Sequence, residues 1–252
     1  MNTFRKRLLS GELLVGSWIQ TGSPAAAEIL AESGFDWIAA DMEHSSIAID
    51  EFTAIARGIY GRGVITAARV RENDTLAIRQ VLDMGAECVI IPMVNNAEEA
   101  ERAVRSAKYP PAGVRGFGYA RMNNWGRDFA EYAANANEDI AVIVMIESKE
   151  AVDNIEEIVS VEGVDGVFIG PYDMSGSYGI PGQTSDPIIT EACSRVAKAC
   201  KRHGKVAGQH IVLPTSENVS RALSEGYSFI ALGGDIIFVR RAAEEAMELL
   251  KK

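Results

Sequence analysis

This chain of 252 residues is poor in cysteine, in positive charge and in long apolar runs, and each shortage closes off a class of protein. Its three cysteines, Cys88, Cys193 and Cys200, form no CxxC pair, so neither a disulfide framework nor a structural zinc site is expected. They read as buried or inert thiols. Against 35 Asp and Glu stand only 25 Lys and Arg, a net charge of −10. Nucleic acids are bound largely through clustered basic residues on phosphates, and no basic run is present, so no nucleic-acid partner is expected. No apolar run approaches the length of a membrane span, which removes a membrane partner as well. The N-terminal stretch MNTFRKRLLSGELLVGS is basic and then leucine-rich, but Ser10, Gly11 and Glu12 interrupt it before a signal-peptide core forms. A cytoplasmic location is expected.

What is present is ample material for one core. A hydrophobic content of 47% with 24% charged residues is that of a globular protein. The length matches one (β/α)8 barrel, so a single α/β domain over residues 1–252 is expected. Eight short β-rich runs follow one another: LLVGSWIQ, DWIAADMEH, VITAARV, CVIIPMV, AVIVMIE, VDGVFIG, KVAGQHIV and FIALGG. Stretches of helical period alternate with them, such as DEFTAIARGIYG, DTLAIRQVLDMG and SKEAVDNIEEIVS. Near-continuous apolar strands followed by helices mark a parallel sheet covered by helices, and eight such units favour a closed barrel over an open sheet. Two segments break the repeat. KYPPAGVRGFGYARMNNWGRDFAEYAANANED is expected to hang over the active face, and DMSGSYGIPGQTSDP is expected as a loop shaping the pocket near Asp173. The final segment IIFVRRAAEEAMELLKK is apolar at helical spacing and can dock on its own barrel or on a neighbour.

Chemistry-bearing side chains gather at the ends of the strand-like runs. Glu147 follows AVIVMI and Asp173 lies just past VDGVFIG, so both carboxylates come where a strand leaves an apolar core. That is where α/β barrels keep their active residues. Two carboxylates, with positions left for substrate and water, suit a hard divalent cation such as Mg²⁺ or Mn²⁺. The plain alternative is a pair of acids capping the helices that follow. The second run ends in DMEH, where alternation turns Asp41 and Glu43 the same way and His44 begins the loop. His44 can be a general base, a metal ligand or a structural residue, and beside two carboxylates an acid/base role suits an imidazole best. His203 falls in a solvated helix end, and His210, near the end of the seventh run, has no clear partner. The third run offers Arg69 and Arg71, either of which can bind a carboxylate or the oxygen of an enolate. Asp83 sits at a helix end, against the unfavourable pole of the dipole, and needs a compensating partner such as His44 or an arginine. No lysine stands well placed for a Schiff base: Lys149 lies past Glu147, and Lys205 starts its run.

DMEH, the Arg69 stretch running into NDTLAIRQVLDMGAECVIIPMVNNAEEA, YPPAGVRG, VMIES and VEGVDGVFIGPYDMSGSYG together resemble the HpcH/HpaI family of metal-dependent class II pyruvate aldolases, over nearly the whole chain. The family includes 4-hydroxy-2-oxoheptanedioate and 2-dehydro-3-deoxyglucarate aldolases. The resemblance implies that Glu147 and Asp173 bind the divalent metal, with Co²⁺ or Zn²⁺ as further candidates beside Mg²⁺ and Mn²⁺. It also implies His44 as catalytic acid/base, Asp83 as the residue that orients it, and Arg69 on the pyruvyl oxygen. Arg69 is preferred over Arg71 because the family's arginine stands five residues before the Asp of the ND pair, here Asp74. Trp18, Asp41, Gly170, Pro171, Tyr172 and Asp173 complete the implied substrate site. The implied reaction is retro-aldol cleavage of a 4-hydroxy-2-oxo acid to pyruvate or another 2-oxo acid and an aldehyde. The implied assembly is a homohexamer, a trimer of dimers, with an exchanged C-terminal helix. Related enzymes on the same scaffold decarboxylate oxaloacetate or condense an enolate with a keto acid, as citrate-type synthases do, and they form the alternative. A non-catalytic keto-acid-binding protein is a further one. The chain departs from the family's pattern at RENDTLAI, AGQHIVLPTSEN and GFGYARMNNW, positions expected around the aldehyde pocket.

Overall fold

Every one of the eight apolar runs becomes a strand in the computed structural model, which describes residues 3–250. The strands are β1 Leu14–Ile19, β2 Trp37–Asp41, β3 Ile65–Arg69, β4 Cys88–Ile91, β5 Ala141–Ile146, β6 Gly166–Ile169, β7 Val206–Ile211 and β8 Phe229–Gly234. Each pairs in parallel with the next in the chain, and β8 pairs with β1, so the sheet closes into a barrel. The helices are α1 Phe4–Leu9, α2 Pro24–Ala31, α3 Ile49–Ile59, α4 Thr75–Met84, α5 Ala97–Ala107, α6 Phe129–Asp139, α7 Lys149–Asp153, α8 Ile155–Ser160, α9 Pro171–Ser177, α10 Pro187–Arg202, α11 Ser216–Ser224 and α12 Asp235–Glu248. None of the described helices is long and apolar enough to cross a membrane. Met1, Asn2, Lys251 and Lys252, at the ends of the expected domain and of the C-terminal helix, lie outside the described residues.

The period of two along each strand sorts side chains between two cores. Trp37, Ala39, Ala67, Ile143 and Met145 point into the barrel, while Ile38, Ala40, Ala68, Val142 and Val144 point outward to the helices. Full burial of each large apolar side chain contributes roughly 1.5–3 kcal/mol, so both layers hold the cylinder closed. Aromatic rings fill the amino end of the interior, with Trp37 stacked on Phe229 at 4.3 Å. Gly16 on β1 makes room for that stack, because a Cβ there would lie 2.0 Å from the Trp37 ring. α1 closes this end with Phe4 and Leu8, and Arg5 fastens it through a 2.9 Å ion pair with the buried Asp165.

The long segment between α5 and β5 lies at this amino end, not over the active face. Because it follows a helix and precedes a strand, it must return the chain to the strands' starting points. Arg121 donates to the carbonyls of Met84 and Ala56, in the last turns of α4 and α3, and Lys108 donates to those of Asn137 and Ile140 just before β5. GFGYARMNNW is therefore remote from the carboxyl ends of the strands. The segment after β6, expected as a loop, begins with helix α9. The stretch SKEAVDNIEEIVS breaks into α7 and α8 at Asn154, whose side chain donates to the Asn95 carbonyl. α12 leaves the barrel: from Val239 to Leu250 every residue is exposed.

Candidate active site

Followed to their carboxyl ends, the inward rows of the strands converge on a set of polar residues. β2 ends inward at Asp41 and β3 at Arg69, which pair through two hydrogen bonds, Nε to Oδ1 at 2.9 Å and Nη2 to Oδ2 at 2.7 Å. Asp41 is buried, and it also accepts from the Gln20 side chain at 2.8 Å and from the backbone N–H groups of Glu43 and His44. Burial pushes its pKa up, but the bonds and charge of Arg69 and the His44 amide outweigh this and hold it below the ordinary carboxylate value. One aspartate thus fixes the guanidinium and folds the loop that carries His44. The Arg69 guanidinium lies over the Trp18 ring at 5.0 Å, so Trp18, which is buried, forms the floor beneath it. Arg71 instead turns away and donates to the Ile47 carbonyl.

Across the mouth, Glu147 follows β5 and is buried. Its Oε1 accepts the Met93 N–H at 2.7 Å, and Met93 adopts a left-handed φ of 53° to present it. Gly170, after β6, packs against the other oxygen: a Cβ there would stand 2.9 Å from Glu147 Oε2. Burial raises the Glu147 pKa to about 7; Glu43 and Asp173 add to this, and the Met93 N–H and Arg69 oppose it. Glu43 is likewise raised, by burial first and then by Asp41 and Asp173 against Arg69. Its Oε2 lies 3.2 Å from Arg69 Nη1 yet makes no well-directed hydrogen bond. A carboxylate that is buried beside other acids, with one oxygen kept clear by a glycine, fits a divalent cation, and the donors are all hard oxygens. Among the described residues no three His, Cys, Asp or Glu converge tightly enough to hold an ion alone.

The remaining expected residues divide. Asp173 and Tyr172 lie exposed in the first turn of α9, with Pro171 at its start and Gly170 as its cap. His44 stands at the rim with its side chain 58% exposed, and its Nε2 is 3.7 Å from Glu43 Oε2. Asp83 does not meet His44 in this chain. It lies in the last turn of α4, at the amino end of the barrel, and accepts at 2.7 Å from the buried Arg115, which supplies the compensating charge. A helix end demands a partner without saying which, and the arginine met the demand. Three residues at the mouth escaped assignment from sequence: Gln20, Glu43 and His210. Alternation through Val206 and Gly208 turns His210 inward, and its Nε2 lies 2.7 Å from the Gly233 carbonyl; the same rule that aligned Asp41 with Glu43 would have found it.

The sequence profile of the HpcH/HpaI aldolase/citrate lyase family matches residues 14–242. The chain belongs to this family. It is 34% identical over 251 residues to the 5-keto-4-deoxy-D-glucarate aldolase of Shigella sonnei (strain Ss046), covering 100% of this chain and 97% of that protein. The crystal structure of an HpcH/HpaI aldolase/citrate lyase family protein from Burkholderia cenocepacia J2315 superposes with a TM-score of 0.94 at 30% identity, covering 100% of both chains. The citrate synthase SbnG superposes with a TM-score of 0.88, also at 30% identity, over 100% of this chain and 98% of that one. As an HpcH/HpaI family member with aldolase relatives along its full length, the protein is an enzyme of carbon–carbon lyase type.

Proposed function

We propose that this enzyme is a divalent-metal-dependent aldolase that cleaves a 4-hydroxy-2-oxo acid into pyruvate and an aldehyde. The observation that carries the proposal is the buried Glu147, raised to about 7 beside Asp173 and Glu43 and facing the Asp41–Arg69 pair. Glu147 and Asp173 would hold the cation, Mg²⁺ or Mn²⁺, which supplies Lewis-acid stabilisation of negative charge on the substrate's oxygens. His44 takes the proton of the 4-hydroxyl, the C3–C4 bond breaks, C4 becomes the aldehyde carbon, and the bonding pair passes to C3 and on to the C2 oxygen. Arg69, oriented by Asp41 before substrate arrives, donates to that oxygen as charge develops on it. A proton then returns to C3 to give pyruvate. Backbone N–H groups around Tyr172 and Asp173 receive the substrate carboxylate. The Shigella relative's name points to a keto-deoxy sugar acid as the substrate class. The exposed α12, which leaves the barrel, suits exchange between subunits in a homohexamer, a trimer of dimers.

Exchange of the pyruvate methyl protons into deuterated water, followed by proton NMR, tests the enolate half of this reaction. Exchange is expected in protein loaded with Mg²⁺ or Mn²⁺, and neither in chelated protein nor in Glu147→Ala. Its absence from correctly loaded protein would overturn the proposal and leave a keto-acid-binding role. The likeness to the citrate synthase SbnG supports a second reading, condensation of the enolate with a keto acid. Oxaloacetate consumed to a condensation product faster than any aldol is cleaved would favour it.

A further inference from the structure

His210 stands at the carboxyl end of β7, on the inward row begun by Val206 and Gly208, near enough to Arg69 and Asp41 for their charges to act on it. The Gly233 carbonyl 2.7 Å from its Nε2 can only accept, so Nε2 carries the ring proton. Burial lowers the pKa of His210; Arg69 adds to this, and the bond to Gly233 and the charge of Asp41 oppose it. The imidazole is therefore neutral near pH 7, and Nδ1 holds a free lone pair. Among the described residues no group donates to Nδ1, and it is absent from the buried unpartnered atoms, which at this site are Trp18 Nε1 and Glu43 Oε2. Nδ1 is thus not sealed from solvent, on a half-buried ring at the carboxyl end of β7. The ring meets Trp18 edge-on at 6.0 Å, and Trp18 is the floor beneath Arg69.

A bare lone pair at this position calls for a donor, and the keto-acid half of the substrate has none. Ionised carboxylate, ketone and enolate oxygens all accept. The 4-hydroxyl surrenders its proton in the reaction. A hydroxyl further along the aldehyde half is the donor that remains. We propose that His210 Nδ1 accepts a hydrogen bond from such a hydroxyl, which makes the enzyme selective for hydroxyaldehydes over unsubstituted aldehydes. The assignment rests on the aldolase function proposed above and makes His210 a specificity-determining residue.

The test compares kcat/KM for addition of pyruvate to glycolaldehyde and to acetaldehyde, which differ by one hydroxyl, in the metal-loaded parent, His210→Leu and His210→Gln. A site built to bond a hydroxyl rejects the analogue lacking it. The parent is expected to prefer glycolaldehyde at least about tenfold, His210→Leu to lose that preference mainly through the glycolaldehyde KM, and His210→Gln, which keeps a donor and an acceptor, to regain part of it. Pyruvate methyl exchange needs no aldehyde and reports whether each variant still folds and forms the enolate. Exchange that persists in His210→Leu with an unchanged aldehyde ratio overturns the inference alone. An equal loss on both aldehydes overturns it in favour of an acid/base role. Absence of exchange in the parent overturns the aldolase function, and the inference falls with it.

Discussion

The acids of this chain divide by what surrounds them, and Asp83 shows how sharply. Arg115 is buried, its Nε has no acceptor among the described residues, and its charge is met by Asp83 at 2.7 Å, the Tyr132 hydroxyl at 3.2 Å and the Tyr109 ring at 4.5 Å. Removing one partner of a buried pair leaves a charge uncompensated, so Asp83→Ala is expected to cost about 3 kcal/mol in a denaturant melt. A variant that melts like the parent but loses turnover would instead put Asp83 to work beside His44 in the assembled protein. Legibility in the sequence follows the same division. Asp41, Arg69 and Glu147 were readable because strand alternation and a strand end fix where a side chain points. Asp83 was not, because its partner comes from Arg115, 32 residues further along the chain. His210 was readable in principle, through VAGQHI, but its partner is a backbone carbonyl on β8 that no sequence motif reveals.

At the level of elements the strands were fully legible, since eight runs buried on both faces leave little choice of structure. The α5–β5 segment was misplaced because its glycines and aromatics resemble a ligand loop. Those aromatics pack on one another: Tyr109 stacks on Phe117 at 4.4 Å, and Phe117 meets Phe129 edge-on at 6.0 Å. Of these, Tyr109 is buried, while Phe117, Tyr119 and Trp125 remain exposed at the amino end of the barrel. α12 is the converse case. Asp235 is buried and accepts from Gln20 and Thr21, and Phe238 still packs on the core, whereas Val239, Met247, Leu249 and Leu250 are all exposed, so beyond Phe238 the helix adds almost nothing to its own barrel. A chain ending at Phe238 is expected to keep the barrel's far-ultraviolet circular dichroism while sedimenting as a smaller species. Unchanged sedimentation would remove α12 from any contact between subunits.

Across the whole molecule a net charge of −10 makes the acids concentrated at one mouth a standing cost, and its dependence on pH has a definite sign. Glu147 rises from an ordinary 4.5 to about 7 in the folded protein. Between those values the folded state holds a proton that the unfolded state has lost, so stability falls as pH rises through this window and stays reduced above it. A divalent cation held by Glu147, as proposed, would bind the ionised carboxylate, reverse that loss and displace the proton to do so. Its apparent affinity therefore falls by about tenfold for each pH unit below 7. Since a ligand that binds only the folded state stabilises it by RT ln(1 + L/Kd), with L its free concentration, the rise in melting temperature on adding Mg²⁺ or Mn²⁺ at one concentration is expected to be larger at about pH 8 than at about pH 6. Glu147→Gln separates the two contributions. The neutral amide is expected to raise the metal-free melting temperature at about pH 8 and to abolish the metal-induced rise at both pH values. Equal metal-induced rises in the parent at the two pH values would show that the cation does not compete with the Glu147 proton, and Asp173 would then have to bind it without Glu147.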